Sequence, residues 1–305
     1  MSRTLRRAHA AGRCALAGVV ALAVAACAGR APEPEPYLTP LAWEARSPQH
    51  PGSVYLLGSI HVGARQSRRL HPDIVAAWGR ADELVVEVDL DASAPEMPAV
   101  WAQRAYLAEG ERLSELVSPD TWERLSAWLE ARGEDPDDYE SLKPWAVLLR
   151  LARLEFAREG YPAEHGVDRR FLDAAAGTKP VVALESYRFQ LDLYDGFPFE
   201  VQEMMLRDLL EPESPFETRA LVDAWSRGDE GAFLRLIFPE TERWKVYRER
   251  FFFERNERMA RKLGDLAVDG KTRFVVVGVG HMIGPRGIPA LLADQGFRVE
   301  RIGYP

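Results

Sequence analysis

The sequence predicts an α/β fold: a mixed central β-sheet flanked by helices, with a degenerate strand–Gly-x-x-His–helix–strand repeat at the two ends and long helical insertions between. Three observations predict it. Val54-Tyr55-Leu56-Leu57 and Phe274-Val275-Val276-Val277 are short apolar runs rich in β-formers, the pattern of buried strands. Each run stops at a glycine turn that presents an imidazole, Gly58-Ser59-Ile60-His61 and Gly278-Val279-Gly280-His281, followed by a further glycine at 63 and 284. The residues between them carry apolar side chains mostly at helical spacing.

The first 26 residues read as a signal peptide. Arg3, Arg6, Arg7 and Arg13 make a positive n-region, and Ala15 to Ala26 a short apolar h-region. Small residues leading to Cys27 resemble a bacterial lipobox, which implies cleavage before Cys27 and a lipid on its sulfur. Ala28 in place of an aspartate then favours the outer membrane, the domain facing the periplasm. The alternative is a plain secretory signal and a soluble periplasmic protein. Residues 27–50, with Pro32-Glu33-Pro34-Glu35-Pro36, read as a tether, the folded chain starting near Leu41 or Ser53 and the domain running over 51–305.

Within the domain, His71-Pro72 opens a helix to Ala81, with Ile74, Val75 and Trp78 on one face. Leu84-Val85-Val86-Glu87-Val88 reads as the next strand. Residues 98–160 read as helices, broken by a loop at 133–138 and reopened by Pro144. Gly166-Val167-Asp168 leads into a helix through Phe171 and Leu172. Gly177-Thr178-Lys179-Pro180 turns into the strand Val181-Val182-Ala183-Leu184, which stops at Glu185. Residues 199–264 read as helical, with breaks near 211–214, Gly228 and Pro239. A helix through Ile288 to Leu292 and a strand Phe297 to Ile302 complete the second copy of the repeat.

Once residues 1–26 are removed, 35 basic and 47 acidic side chains remain, a formal charge of −12. That balance excludes a nucleic-acid partner, which needs a basic face. Cys14 leaves with the signal and Cys27 is the lipidation site, so no disulfide is available and stability must come from the core. Beyond the N-terminus no apolar stretch is long enough to span a membrane.

Of the six histidines, only His61 and His281 share a context. His71 suits a helix cap and His165 a loop. A carboxylate inside an apolar strand, as Glu87 is, needs a partner if buried; the alternation reading turns it to solvent. Glu185 ends a strand as the two Gly-His turns do, and open α/β sheets bind ligands at the carboxyl ends of their strands. Parallel strands would therefore bring His61, Glu87, Glu185 and His281 together. Two imidazoles and one or two carboxylates suit a borderline divalent ion such as Zn, Mn or Co, which would activate water. The same residues without metal suit general acid–base work. Ser59 and Gly280 lie within the turns and are candidates for substrate contact. Arg255, flanked by Glu254 and Glu257, reads from spacing as a solvated ion pair; its functional reading is an oxyanion or carboxylate clamp. No His-Glu-x-x-His, Gly-x-Ser-x-Gly or phosphate loop is present.

These segments, with Leu142-Lys143-Pro144-Trp145, Leu184-Glu185-Ser186 and Gln190, Ala224-Trp225 with Gly228-Asp229, and Arg255-Asn256 with Met259, resemble the TraB/GumN family, its GumN branch in particular, over roughly residues 40–304. That family is similar to the Tiki metalloproteases and, more distantly, to erythromycin esterases and ChaN-like proteins. The resemblance implies one site built from His61, Glu87, Glu185 and His281, and it raises Arg255 and Asn256 to site residues, Asn256 as a substrate contact. Gly284-Pro285-Arg286-Gly287 departs from the acidic residue more often found there. The expectation is an envelope-anchored, divalent-metal-dependent hydrolase acting on a peptide or small molecule. Its rivals are a non-catalytic lipoprotein that binds a peptide, haem or glycan, and a metal-free esterase.

Overall fold

The structure is a computed structural model; it describes residues 36–65, 69–211, 218–238 and 242–304. The expected signal peptide, Cys27 and the Pro/Glu run lie outside the described residues, as do most of the expected break at 211–214 and Pro239. Tyr37–Pro305 forms one compact unit.

Six strands make the sheet: β1 (Ala42–Arg46), β2 (Val54–Ser59), β3 (Glu83–Val86), β4 (Val181–Ala183), β5 (Arg273–Gly278) and β6 (Arg298–Arg301), in the order β4-β3-β5-β2-β1-β6. β4, β3, β5 and β2 pair in parallel, whereas β1 is antiparallel to both β2 and β6. The continuous apolar runs occupy the middle, where both faces are covered: every residue of β2 and β3 is buried, and the outer β4 and β6 are more open. β1 was not foreseen. It claims part of the expected tether at 27–50, because Ala42, Trp43 and Ala45 are buried while Glu44 and Arg46 are less so, the alternation from Trp43 to Arg46 fitting a half-covered strand.

The repeat takes a definite form. β2 and β5 are neighbours in parallel register, Ser59 opposite Gly278. From β2 the chain passes through α1 (Pro72–Arg80) and crosses β5 to reach β3; from β5 it passes through α8 (Ile288–Asp294) and crosses β2 and β1 to reach β6. Two right-handed crossovers running in opposite directions place their helices on opposite faces. Trp78 of α1 meets Phe274 edge-on at 5.6 Å together with Phe171 of α4 (Val167–Ala175), while α8 packs on α7 (Glu254–Ala267). As foreseen, His71 caps α1, its Nδ1 accepting the Asp73 amide at 3.3 Å.

The helical insertions build a second core. α2 (Pro119–Glu130), α3 (Pro144–Arg158), α5 (Tyr187–Asp195) and α6 (Phe199–Leu210) pack around the fully buried Trp145 with Leu125, Leu148, Leu191 and Leu206. α5 starts two residues after Glu185, so it links this helical core to the carboxyl edge of the sheet. Among the described residues no helix is long and apolar enough to cross a membrane.

Candidate functional site

Parallel pairing puts the carboxyl ends of β2, β5, β3 and β4 on one edge, and with them His61, His281, Glu87 and Glu185. Glu87 is not inside a strand as expected: β3 ends at Val86, so Glu87 sits at the edge, where its buried carboxylate faces the other ends. Gly278 marks the centre. A β-carbon built on it would stand 3.5 Å from Glu87 Oε2, 3.6 Å from His281 Cδ2 and 3.9 Å from His61 Nε2. Three functional side chains therefore close around a residue that has none.

His61 is held by a loop that permits close backbone approach. A β-carbon on Gly63 would fall 2.0 Å from the His165 carbonyl oxygen, and one on Gly166 2.7 Å from the His61 backbone, so both positions need glycine. The Val167 amide then donates to Ile60 O at 3.0 Å and sets Asp168 against the ring. Asp168 Oδ2 lies 3.0 Å from His61 Nδ1, and Ser59 Oγ donates to Asp168 Oδ1 at 2.8 Å. An ionised carboxylate only accepts, so Nδ1 carries a proton and Nε2 points away from Asp168. Asp168 pushes the His61 pKa up to about 9, so at neutral pH the metal-free ring is an imidazolium, whose Nε2 proton a metal ion would have to displace. Water still reaches 68 % of the side chain and screens the pair, so the pairing governs the proton far more than it stabilises the fold.

His281 is backed by an amide instead. Asn256 donates from Nδ2 to Arg286 O at 2.7 Å, which turns its Oδ1 to His281 Nδ1 at 2.5 Å. Nδ1 therefore carries the proton here too, and Nε2 faces Glu87 Oε1 at 3.9 Å. Burial first, and then the Arg255 charge, push the His281 pKa down to about 3, so the ring is neutral. The two halves of the repeat thus present matching Nε2 atoms, one on a carboxylate-backed ring and one on an amide-backed ring.

Arg255 is no surface ion pair; only 1 % of its side chain is exposed. It reaches Glu185 with Nε at 3.0 Å and with Nη2 at 2.6 Å, gives the same Nη2 to Glu87 Oε1, and gives Nη1 to Phe251 O at 3.0 Å. Burial works against its charge, but Glu87 and Glu185 more than offset this and raise its pKa. Burial would likewise push Glu87 up; the charges of His281, Arg255 and His61 and the Gly278 amide outweigh it and hold the carboxyl down to about 2. Gln190 donates to Glu87 Oε1 at 2.6 Å and to Glu185 Oε2 at 3.3 Å, tying the two carboxylates together.

The sequence-derived residues thus gather, in roles partly different from those expected. Ser59 is buried and holds Asp168. Asn256 is fully buried and orients His281 rather than facing a substrate. Gly280 makes room for Phe252, whose ring would come within 2.6 Å of a β-carbon there. Both oxygens of Glu185 are taken by Arg255, Glu87 Oε1 by Arg255 and Gln190, and Glu87 Oε2 accepts the Gly278 amide at 3.2 Å. The expected four-residue ligand set is therefore not assembled: among the described residues no three His, Cys, Asp or Glu side chains are grouped to hold a metal ion. Two imidazoles with Nδ1–H locked on oxygen do have the form of metal-binding histidines. Asp168 and Gln190 were missed as site residues. Asp168 had a legible signal, because an aspartate at 168 shares one helical stripe with Phe171, Leu172 and Ala175.

Comparison with known proteins places the chain in a family. A model of the TraB/PrgY/gumN family matches residues 41–301. The chain is 28 % identical over 159 residues to YbaP of Escherichia coli, a protein of uncharacterised function, the match covering 51 % of this chain and 58 % of YbaP. It is 24 % identical over 263 residues to an uncharacterised protein of Treponema pallidum, covering 81 % and 78 %. It is 23 % identical over 326 residues to the metalloprotease TIKI2 of Xenopus tropicalis, covering 88 % of this chain and 61 % of that one. The chain thus spans little more than half the length of YbaP. No solved structure matches.

Proposed function

The chain belongs to the TraB/PrgY/gumN family, and from that premise we propose that it is an envelope-anchored hydrolase, peptidase-like, working with a divalent metal ion. The observation that carries the reading is the pair of imidazoles beside Gly278, each with its Nδ1–H committed to a buried oxygen acceptor. The similarity to TIKI2, named a metalloprotease, supports the reaction class. His61 and His281 would hold the ion as its two protein ligands, with the Glu87 carboxylate 3.9 Å from His281 Nε2; both oxygens of Glu185 are taken by Arg255. A bound ion of this kind supplies Lewis acidity and a water that ionises near neutrality. The protein's own part is positional: Asp168 and Asn256 fix both rings, and Arg255 helps to keep Glu87 ionised in a buried setting while holding Glu185 by both oxygens.

Elemental analysis of wild type beside His61→Ala/His281→Ala tests this. About one zinc, manganese or cobalt ion per chain is expected, and at least tenfold less in the double variant. No stoichiometric uptake, together with unchanged peptide hydrolysis by His61→Ala, would sink the proposal. A second reading is favoured by the Asp168–His61 dyad, which has the form of a general acid–base with its orienting carboxylate, an acid as the imidazolium of neutral pH and a base above about pH 9. It predicts hydrolysis of simple esters that survives chelation and vanishes in His61→Ala.

We also propose that Cys27 is lipidated and anchors the domain at the outer membrane. Intact-mass measurement of the mature protein should show an acylated Cys27 as its first residue, and Cys27→Ser should move the protein to the soluble periplasmic fraction. An unmodified, soluble mature chain would exclude the anchor.

A further inference from the structure

Beside His281 stands a wall of aromatic rings that the hydrolase reading does not use. Phe252 lies 5.2 Å from the His281 ring and fills the space left by Gly280. Tyr247 touches Phe252 at 5.8 Å and stacks on Phe251 at 4.8 Å with an interplanar angle of 14°. Phe251 in turn meets Tyr194 at 5.0 Å, and the Arg255 guanidinium sits over the Phe251 ring at 5.0 Å. The backbone here is specialised: Glu249–Phe253 is a π-helical turn running straight into α7, a rare wide turn that is frequent at functional sites. It brings Phe251 to Arg255 and Phe252 to His281 from one segment.

Tyr194 and Tyr247 are the unusual members. Both remain partly exposed, so the wall is not sealed core. Neither phenol has a hydrogen-bond partner among the described residues, although a phenol in an apolar setting usually finds one. Both hydroxyls lie within electrostatic reach of Arg255; Tyr194 also feels Glu87, and Tyr247 feels Tyr194. Burial raises both phenol pKa values, so each stays a protonated donor. Two open donors beside a buried cation, on an apolar wall that reaches His281, match a group with an acceptor oxygen next to a large apolar side chain. In a peptide that is the carbonyl of an aromatic or large aliphatic residue.

We propose that Tyr194 and Tyr247, with Phe251 and Phe252, form a substrate subsite that hydrogen-bonds a peptide carbonyl oxygen and packs the large apolar side chain beside it. The proposal rests on the peptidase reading above and names its side-chain preference.

Binding measured without turnover tests it independently of that reading. N-acetyl-phenylalaninamide and N-acetylglycinamide are titrated against the metal-free protein by saturation-transfer NMR, with wild type, Tyr194→Phe/Tyr247→Phe and Phe251→Leu. Wild type should bind the phenylalanine probe at least tenfold more tightly than the glycine probe. The double Tyr→Phe variant should lose about tenfold of that affinity with an unchanged thermal midpoint, since removal of two unpaired hydroxyls leaves the packing intact. Phe251→Leu should narrow the difference between the probes. Equal binding of the two probes, or wild-type affinity in the double Tyr→Phe variant, would overturn the subsite. Selective binding with no cleavage of any peptide in a mixed library supports the subsite and removes the peptidase reading. Cleavage without preference for large apolar residues does the reverse.

Discussion

Arg255→Met is expected to lower the unfolding free energy by about 3–5 kcal/mol, the cost of leaving buried charge unpaired. In the native protein one guanidinium serves two carboxylates whose side chains are 8 % and 6 % exposed. Methionine fills much of the same volume but returns none of the four contacts to Glu87 and Glu185. Each carboxylate must then take up a proton or draw in water. Urea unfolding at neutral pH measures the loss, and a second variant separates charge from packing. Combining Arg255→Met with Glu87→Gln and Glu185→Gln removes the uncompensated charges and should recover a large part of the stability. A change below about 1 kcal/mol for Arg255→Met would mean that water already solvates the pair, at odds with a buried clamp.

Asp168→Asn is expected to act on the proton rather than on the fold. Asp168 is the leading cause of the raised His61 pKa, about 9 in the native protein. In the metal-free variant the His61 ring should titrate close to the ordinary histidine value, followed by NMR of its Cε1–H signal. The sign follows from linkage. A folded-state pKa above the unfolded one contributes stability that is full below about 6.5 and fades as pH rises to about 9. With 68 % of the side chain in water, that contribution is below about 1 kcal/mol, so Asp168→Asn should leave the urea midpoint at pH 6 nearly unchanged. Metal affinity or turnover should nevertheless fall about 10- to 100-fold, as when other partners of ligating histidines are lost. A His61 titration unmoved by the substitution would show that the pairing does not control the ring.

The two substitutions also mark where the sequence was readable. The central strands and both histidine turns were legible because short apolar runs ending in glycine leave few alternatives. Glu185 was legible for the same reason. Arg255 misled because its sequence neighbours Glu254 and Glu257 are charged, whereas its neighbours in space are set by the helix. Arg255, Met259 and Leu263 recur at intervals of four and are all buried, so an arginine on the apolar stripe of α7 was the better signal. Gln190 could not be found this way, since it is only half-buried and its importance depends on how α5 leaves the sheet. β1 was missed because a five-residue strand with charged side chains at Glu44 and Arg46, next to a Pro-rich stretch, looks no different from an extended linker. The competition of Arg255 for both glutamates was out of reach from sequence, because it depends on distances of a few tenths of an ångström.

Neighbouring β2 and β5 join the two ends of the domain, with Val54 opposite Arg273. Closing a loop of that length is slow and comes late, and a chain emerging from a ribosome or an export channel meets it last. Until Phe274 to His281 arrive, His61 has no companion imidazole and Glu87 lacks the Gly278 amide. A site assembled in this order stays incomplete through most of synthesis and closes only when β5 slots into the sheet beside β2.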